Sequence, residues 1–143
     1  WFSHTINCDG RAAVQWHQVK LNGSIVQTGL IKHPKNFYIQ TTLAVNQDLD
    51  VLIGFQEAGP DMYISPRMAY RRADTEPGEV IRIVDLGEGQ GAADGVAWGD
   101  YSGSTIDGDN LRDLWTIQSI TDENGKGDTI IVRAPFSNFP ARN

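Results

Sequence analysis

The chain has 143 residues, 40% of them hydrophobic and 9% aromatic, so it is long enough for one domain with a core and too aromatic to be disordered. Its formal net charge of −6 argues against nucleic acid or an anionic membrane as a partner, because both require a basic surface. No run approaches the roughly 20 apolar residues of a membrane helix, and the single cysteine, Cys8, excludes an intrachain disulfide.

Short apolar runs that end in turn residues recur along the chain, whereas helical periodicity is nearly absent. In chain order, the predicted strands are residues 12–21, 24–31, 37–45, 51–56, 66–72, 79–86, 98–106 (a strand with its turn), 114–120 and 129–134. Asn22-Gly23 favours a tight primed turn between the first two strands. The continuously apolar run Val51-Leu52-Ile53-Gly54-Phe55 predicts a strand buried on both faces. The sequence therefore predicts an all-β protein.

The order of strands and turns predicts a repeated four-stranded unit. Residues 37–55 and 98–115 each run strand, acidic turn, apolar strand, and four-stranded sheets in series are how β-propellers repeat. We read a partial blade at 1–32, a full blade at 37–86 and a partial blade at 96–134, about two and a half blades. A β-sandwich is the alternative. Because fewer than three blades cannot close a ring, and because the chain begins without Met, we expect the remaining blades to come from a longer protein or from identical chains.

Several segments resemble a family of bacterial secreted β-propellers of sialidase-like architecture, most of whose members have no assigned function. These segments are Val14-Gln15-Trp16-His17-Gln18-Val19, Val26-Gln27-Thr28-Gly29, Leu43-Ala44-Val45-Asn46, Val51-Leu52-Ile53-Gly54-Phe55 and the hexapeptide Trp98-Gly99-Asp100-Tyr101-Ser102-Gly103, which Asp107 and Trp115 follow. The chain departs from the family at Asp107-Gly108-Asp109-Asn110, where members carry an Asp-Pro pair, and the Asp-box of true sialidases is not intact. The resemblance implies a propeller fold and a secreted or cell-surface location.

The hexapeptide supplies the candidate ligand-binding residues Trp98, Asp100 and Tyr101. A carboxylate between aromatic rings in a ring-mouth pocket can bind the hydroxyls of a sugar. In the other reading, which the motif favours because it resembles a segment that opens a blade, Asp100 accepts backbone hydrogen bonds that fix the turn. Tyr101 likewise either stacks on a ligand or packs between blades with its hydroxyl hydrogen-bonded. The sequence therefore favours an extracellular module that binds glycan or protein or has a structural role, with enzyme activity left open.

A calcium site is the alternative to a chain without cofactors. The acidic cluster contains Asp94, Asp100, Asp107, Asp109, Asn110 and Asp113. Closely spaced oxygen ligands suit Ca²⁺, and Asp107, Asp109 and Asp113 are the candidate ligands. No EF-hand pattern follows, and solvated turn residues explain the loop at least as well.

A portion of a sialidase-like glycoside hydrolase is the alternative function. Such an enzyme needs paired carboxylates or a Tyr–Glu nucleophile pair, together with arginines that clamp the carboxylate of the substrate. The candidate arginines are Arg67, Arg71, Arg72, Arg82, Arg112 and Arg133. Their strand positions do not show that they converge, so other blades would have to complete the active site.

Overall fold

The computed structural model describes residues 1–93 and 98–138, and within these ranges the chain folds into ten strands and one short 3-10 turn. The strands are β1 (Phe2–Cys8), β2 (Arg11–Val19), β3 (Ile25–Ile31), β4 (Phe37–Val45), β5 (Val51–Gly59), β6 (Met62–Arg71), β7 (Arg82–Asp85), β8 (Gly103–Ile106), β9 (Leu114–Thr121) and β10 (Gly127–Ala134), and the 3-10 turn is Phe136–Asn138. Among the described residues, no helix has the length and apolar character needed to cross a membrane.

The described strands form three antiparallel sheets of three, four and three strands. The first sheet contains β1, β2 and β3, the central sheet β4 to β7, and the third sheet β8, β9 and β10, in each case with consecutive strands as neighbours. The all-β prediction is confirmed. The chain leaves each sheet at its last strand and enters the next sheet at its first, so all three sheets are simple meanders.

The central sheet lies between the other two, and β5 shows why. Successive side chains of a strand point to opposite faces, and Val51, Ile53 and Phe55 belong to the core shared with the first sheet. Leu52 belongs instead to the core shared with the third sheet. Because Val51 to Glu57 are all buried, the prediction that this run is covered on both faces is confirmed.

The core between the first and central sheets is aromatic. Trp16 of β2 is fully buried together with Val14, and both pack in one cluster with Tyr38 and Phe55. The rings of Tyr38 and Phe55 lie 4.7 Å apart in a tilted arrangement. The guanidinium of Arg71 lies 5.3 Å from the centre of the Trp16 ring, at cation–π distance. This interface therefore fixes one face of the central sheet.

The core between the central and third sheets is partly polar. Leu52 and Met68 pack against Leu114, Ala134 and Phe136 in one apolar cluster. Beside that cluster, a chain of buried or half-buried hydroxyl and amide groups crosses the interface, formed by Thr42, Gln56, Ser104, Thr116 and Gln118. Buried polar groups that bond one another fix a single register between two layers. The third sheet is therefore held in one position on the central sheet.

The hairpin loops at residues 20–24, 46–50 and 122–126 share one hydrogen-bonding pattern, and the loop at 20–24 differs from the predicted turn. In that loop, Lys20 N–H donates to Ser24 O and Gly23 N–H donates to Lys20 O, so three residues lie between its paired ends. Gly23 has φ +84°, which is the geometry of a type I turn followed by a glycine bulge. The prediction of a two-residue primed turn at Asn22-Gly23 is therefore wrong, because the amide oxygen of Asn22 accepts hydrogen bonds from the backbone and hydroxyl of Ser24.

Strand bounds also differ from the prediction at two places. β7 is confined to Arg82–Asp85, although a strand was predicted over 79–86, because the N–H of Glu79 donates to Glu76 O in a turn. Likewise, β5 continues to Gly59 and β6 begins at Met62, so both start or end beyond the strands predicted over 51–56 and 66–72. The segment predicted over 98–106 as a strand with its turn has the turn at residues 99–102 and the strand from Gly103.

Candidate functional site

The hexapeptide forms a hydrogen-bonded turn at the start of β8. Ser102 N–H donates to Gly99 O at 3.0 Å, which closes a four-residue turn with Asp100 and Tyr101 at its tip. Gly99 has φ +76°, a backbone conformation that favours glycine. The turn therefore precedes the strand and projects its two central residues.

A bulge in β4 holds this turn in place. The register of β4 against β5 shifts between Ile39 and Thr42, and Gln40 within the shift has φ +53°. The side-chain amide of Gln40 donates to Trp98 O at 2.8 Å. A Cβ on Gly99 would lie 2.9 Å from Cγ of Gln40, so the glycine permits this close approach. The bulge thus turns one side chain out of the sheet to anchor the hexapeptide.

The structure separates the three predicted ligand residues by exposure. Tyr101 is 94% exposed and Asp100 is exposed beside it, whereas Trp98 is half-buried. A Cβ on Gly127 of β10 would lie 3.6 Å from the Trp98 ring, so the indole is placed against the third sheet. Asp100 and Tyr101 are therefore accessible to a ligand, and Trp98 serves as the base of the turn.

The first candidate metal ligand, Asp107, has its oxygens occupied within its own turn. Its Oδ1 accepts hydrogen bonds from the N–H groups of Asp109 and Asn110 at 2.9 and 3.3 Å. Its Oδ2 accepts the indole N–H of Trp115 at 2.8 Å. The Trp115 hydrogen bond, followed by the two backbone donors, lowers the pKa of Asp107 below its usual value. Asp109 lies exposed in the same turn.

The second candidate, Asp113, is fully buried and paired with a cation. Arg133 of β10 donates to Oδ2 of Asp113, and the N–H of Ser137 donates to its Oδ1 at 2.6 Å. Asn110 donates from its side-chain amide at 3.1 Å. Burial alone would raise the pKa of Asp113, but these donors outweigh it and lower the pKa to about 2. Asp113 therefore ties β9 to β10 and to the 3-10 turn.

The candidate calcium ligands do not converge on one point in the described part of the chain. Across residues 1–93 and 98–138, no group of three or more histidine, cysteine or acidic side chains is close enough to hold a metal ion. Asp94, which belonged to the predicted acidic cluster, lies outside the described residues. The acidic loop at 107–113 of the third sheet bonds to the loop at 46–50 of the central sheet: Arg112 donates to Asp48 at 2.8 Å, and Asn46 donates to Arg112 O at 2.7 Å.

A buried ion network around Arg67 is a feature that the sequence reasoning missed. Arg67 is 4% exposed and contacts Glu57 at 2.7 Å, Asp85 at 3.1 Å and Glu88 at 2.8 Å. Asn36 donates a further hydrogen bond to Glu57 at 2.7 Å. The signal was present in the alternation of β5 and β6, which places Glu57 on the same face as Phe55, the direct partner of Arg67.

The same network acts on the nearby phenol of Tyr38. Burial, with the negative charge of Glu57 as a second cause, raises the pKa of Tyr38 to about 12. A phenol with so high a pKa stays protonated at neutral pH, so Tyr38 is a poor nucleophile as it stands. The arrangement therefore fits a structural ion network that joins β5, β6 and β7, rather than an activated Tyr–Glu pair.

The arginines expected for a sialidase-like clamp are engaged at separate places. Arg67 lies in the ion network just described, Arg71 stacks on Trp16, and Arg133 pairs with Asp113.

No family model, no curated protein and no solved structure matches this chain. The turn of Asp100 and Tyr101 presents two of the three predicted glycan-binding residues to solvent.

Proposed function

We propose that this chain is a portion of a β-propeller whose exposed hexapeptide turn binds a glycan. Three antiparallel meander sheets stacked face to face support the proposal, because successive blades of a propeller pack in this way. In further support, the first strands β4 and β8 pack against each other, as the innermost strands of adjacent blades do. The proposed location of such a module is secreted or cell-surface, as the resemblance described above implies.

The observation that carries the binding proposal is the exposure of Tyr101. Tyr101 is 94% exposed, whereas aromatic side chains usually stabilise a fold by being buried. The turn around it is fixed by the Ser102–Gly99 and Gln40–Trp98 hydrogen bonds, so presenting the ring costs little further ordering on binding. The flat ring can stack on the apolar face of a sugar while the Asp100 carboxylate accepts hydrogen bonds from sugar hydroxyls.

A glycan array probed with the labelled chain tests this proposal. We expect the sugars that bind wild-type protein to bind Tyr101→Ala at least tenfold more weakly, and Asp100→Asn also more weakly. Tyr63→Ala is the matched control, since Tyr63 is an exposed tyrosine on β6, away from the turn. Equal binding by wild type and Tyr101→Ala would contradict the proposal. Release of fluorophore from aryl glycosides by the wild-type chain would support the hydrolase alternative instead.

A further inference from the structure

The two outermost sheet faces of the stack carry exposed apolar side chains among polar ones. On the third sheet, the face turned away from the central sheet carries Thr105, Trp115, Ile117, Ile131 and Arg133, as the strand pairing requires. Ile131 is 63% exposed there. On the first sheet, the corresponding outer face carries Phe2, His4, His17, Thr28 and Leu30. Exposed apolar surface of this kind marks an interaction site rather than an ordinary solvent face.

The third sheet repeats the central sheet in register. Ala44 pairs with Leu52 and Thr42 pairs with Gly54 in the central sheet. In the third sheet, the pairs at the same distance from the loop that joins its first two strands are Thr105 with Trp115 and Gly103 with Ile117. Leu52 and Gly54 are covered by the third sheet. Trp115 and Ile117 occupy the same places one layer further on, so the third sheet presents the kind of face that the central sheet already buries.

The first sheet presents the opposite kind of face. Its inner residues Val14, Trp16 and Ile31 pack on the face of the central sheet that carries Val51 and Ile53. The outer face of the first sheet points in the same direction as that face of the central sheet, so the two faces are equivalent. Every contact between layers in this stack joins one face of each kind. One chain therefore carries both halves of a further contact of the same type, which is the geometry of a head-to-tail interface.

Charge supports contact between these two faces. The chain has 18 acidic residues, yet in the described strands β1 to β3 and β8 to β10 none of them lies on either outer face. Depletion of charge is typical of the buried centre of a protein–protein interface. The arginines on these faces have partners: Arg133 on the third sheet is paired with Asp113, and Arg11 on the first sheet donates to Lys35 O. Phe2 and His17 stack at 4.7 Å and form a flat aromatic platform on the first sheet.

We infer that a second copy of this chain packs its β1–β3 outer face against the β8–β10 outer face of the first. The inference goes beyond the glycan-binding proposal, because the contact joins two sheet faces and needs neither Asp100 nor Tyr101. The contact is heterologous, so each chain uses two different surfaces, and repeated contacts form a ring where the rotation closes.

Sedimentation velocity of the wild-type chain and of three variants tests this contact. Ile131→Glu places a carboxylate on the β8–β10 face, Leu30→Glu places one on the β1–β3 face, and Leu21→Glu changes a fully exposed turn residue on neither face. We expect wild type and Leu21→Glu to associate with rising concentration, whereas each face variant alone sediments as a monomer. Far-ultraviolet circular dichroism of each variant verifies that it is folded.

A mixture of the two face variants provides the decisive measurement. Each variant retains one intact face, and the two intact faces are of opposite kind, so an equimolar mixture should form a one-to-one dimer and stop there. A monomeric wild type, a mixture that stays monomeric, or a Leu30→Glu chain that dimerises by itself would each overturn the inference. Because all variants keep Tyr101, glycan binding by the same samples is read independently of association.

Discussion

The buried carboxylate of Asp113 should make the stability of this protein depend on pH in a defined way. Its pKa is about 2 in the folded protein, against a usual value of 3.8. At about 1.4 kcal/mol for each pKa unit, this difference contributes about 2.5 kcal/mol to folding when the group is ionised. Because the folded-state pKa is depressed, the contribution is fully present above pH 5 and is lost as the pH falls toward 2.

The substitution Asp113→Asn isolates this contribution. It removes the charge that accepts hydrogen bonds from Arg133 and Ser137 while keeping the size of the side chain. We expect the free energy of unfolding to fall by roughly 2–3 kcal/mol at pH 7, and the difference from wild type to shrink steadily between pH 5 and pH 2. Urea unfolding followed by tryptophan fluorescence, repeated across that pH range, measures both quantities.

A matched variant separates the buried carboxylate from its acidic surroundings. Asp109→Asn lies in the same stretch between β8 and β9, but its side chain is exposed. We expect its unfolding free energy to stay within about 0.5 kcal/mol of wild type at every pH, as for most surface substitutions. If Asp113→Asn lost the same free energy at pH 2.5 as at pH 7, the loss would come from packing alone, and the electrostatic reasoning would be refuted.

Two further substitutions test the packing of the layers and the geometry of the turns. Gly54→Ala should destabilise the protein by about 2 kcal/mol in urea unfolding, because the new Cβ would lie 2.3 Å from Nε2 of Gln118 and 2.5 Å from Oγ1 of Thr116; an unchanged midpoint would contradict the described contact between sheets. Leu49→Gly should stabilise it by about 0.5–1 kcal/mol, since Leu49 has φ +63° at the position that Gly23 occupies in its own hairpin. The reciprocal Gly23→Leu, which meets open space, should cost about 1 kcal/mol, and equal stability of both variants and wild type would remove strain as the explanation.

The fold class was readable from the sequence because burial leaves its pattern in a strand. A short, β-branched run without polar residues between turn signals, Val51 to Phe55, predicts a strand that is covered on both sides, and two packed sheets cover it. The three-layer arrangement follows from that single strand together with the short hairpins on either side of it. The number of strands in each sheet needed more, since β1 carries a weak apolar pattern and is half exposed.

Turn geometry was less predictable, because the same dipeptide type adopts different turns according to register. Asp9-Gly10 is a genuine two-residue turn in which both residues have positive φ, at +54° and +80°. Asn22-Gly23 carries an equally strong local signal. There, however, β2 and β3 are paired with a bulge after Gln18, and only the glycine adopts positive φ. The residues of a turn therefore limit which turn types are possible, and the pairing of the flanking strands determines which of them forms.

The candidate site was also predictable only in part: its position in the chain could be predicted from the sequence, but the partners of its acidic residues could not. The composition of the hexapeptide predicted candidate ligand-binding residues, and the structure gives this segment one exposed ring, Tyr101, on a fixed turn. Asp113 looked like its neighbours in sequence, yet its partner Arg133 comes from β10, where the register pairs Arg133 with Trp115. The role of an acidic residue near a turn is therefore ambiguous until the fold supplies its partner: Asp113 becomes part of the framework, whereas Asp100 stays exposed at the tip of its turn.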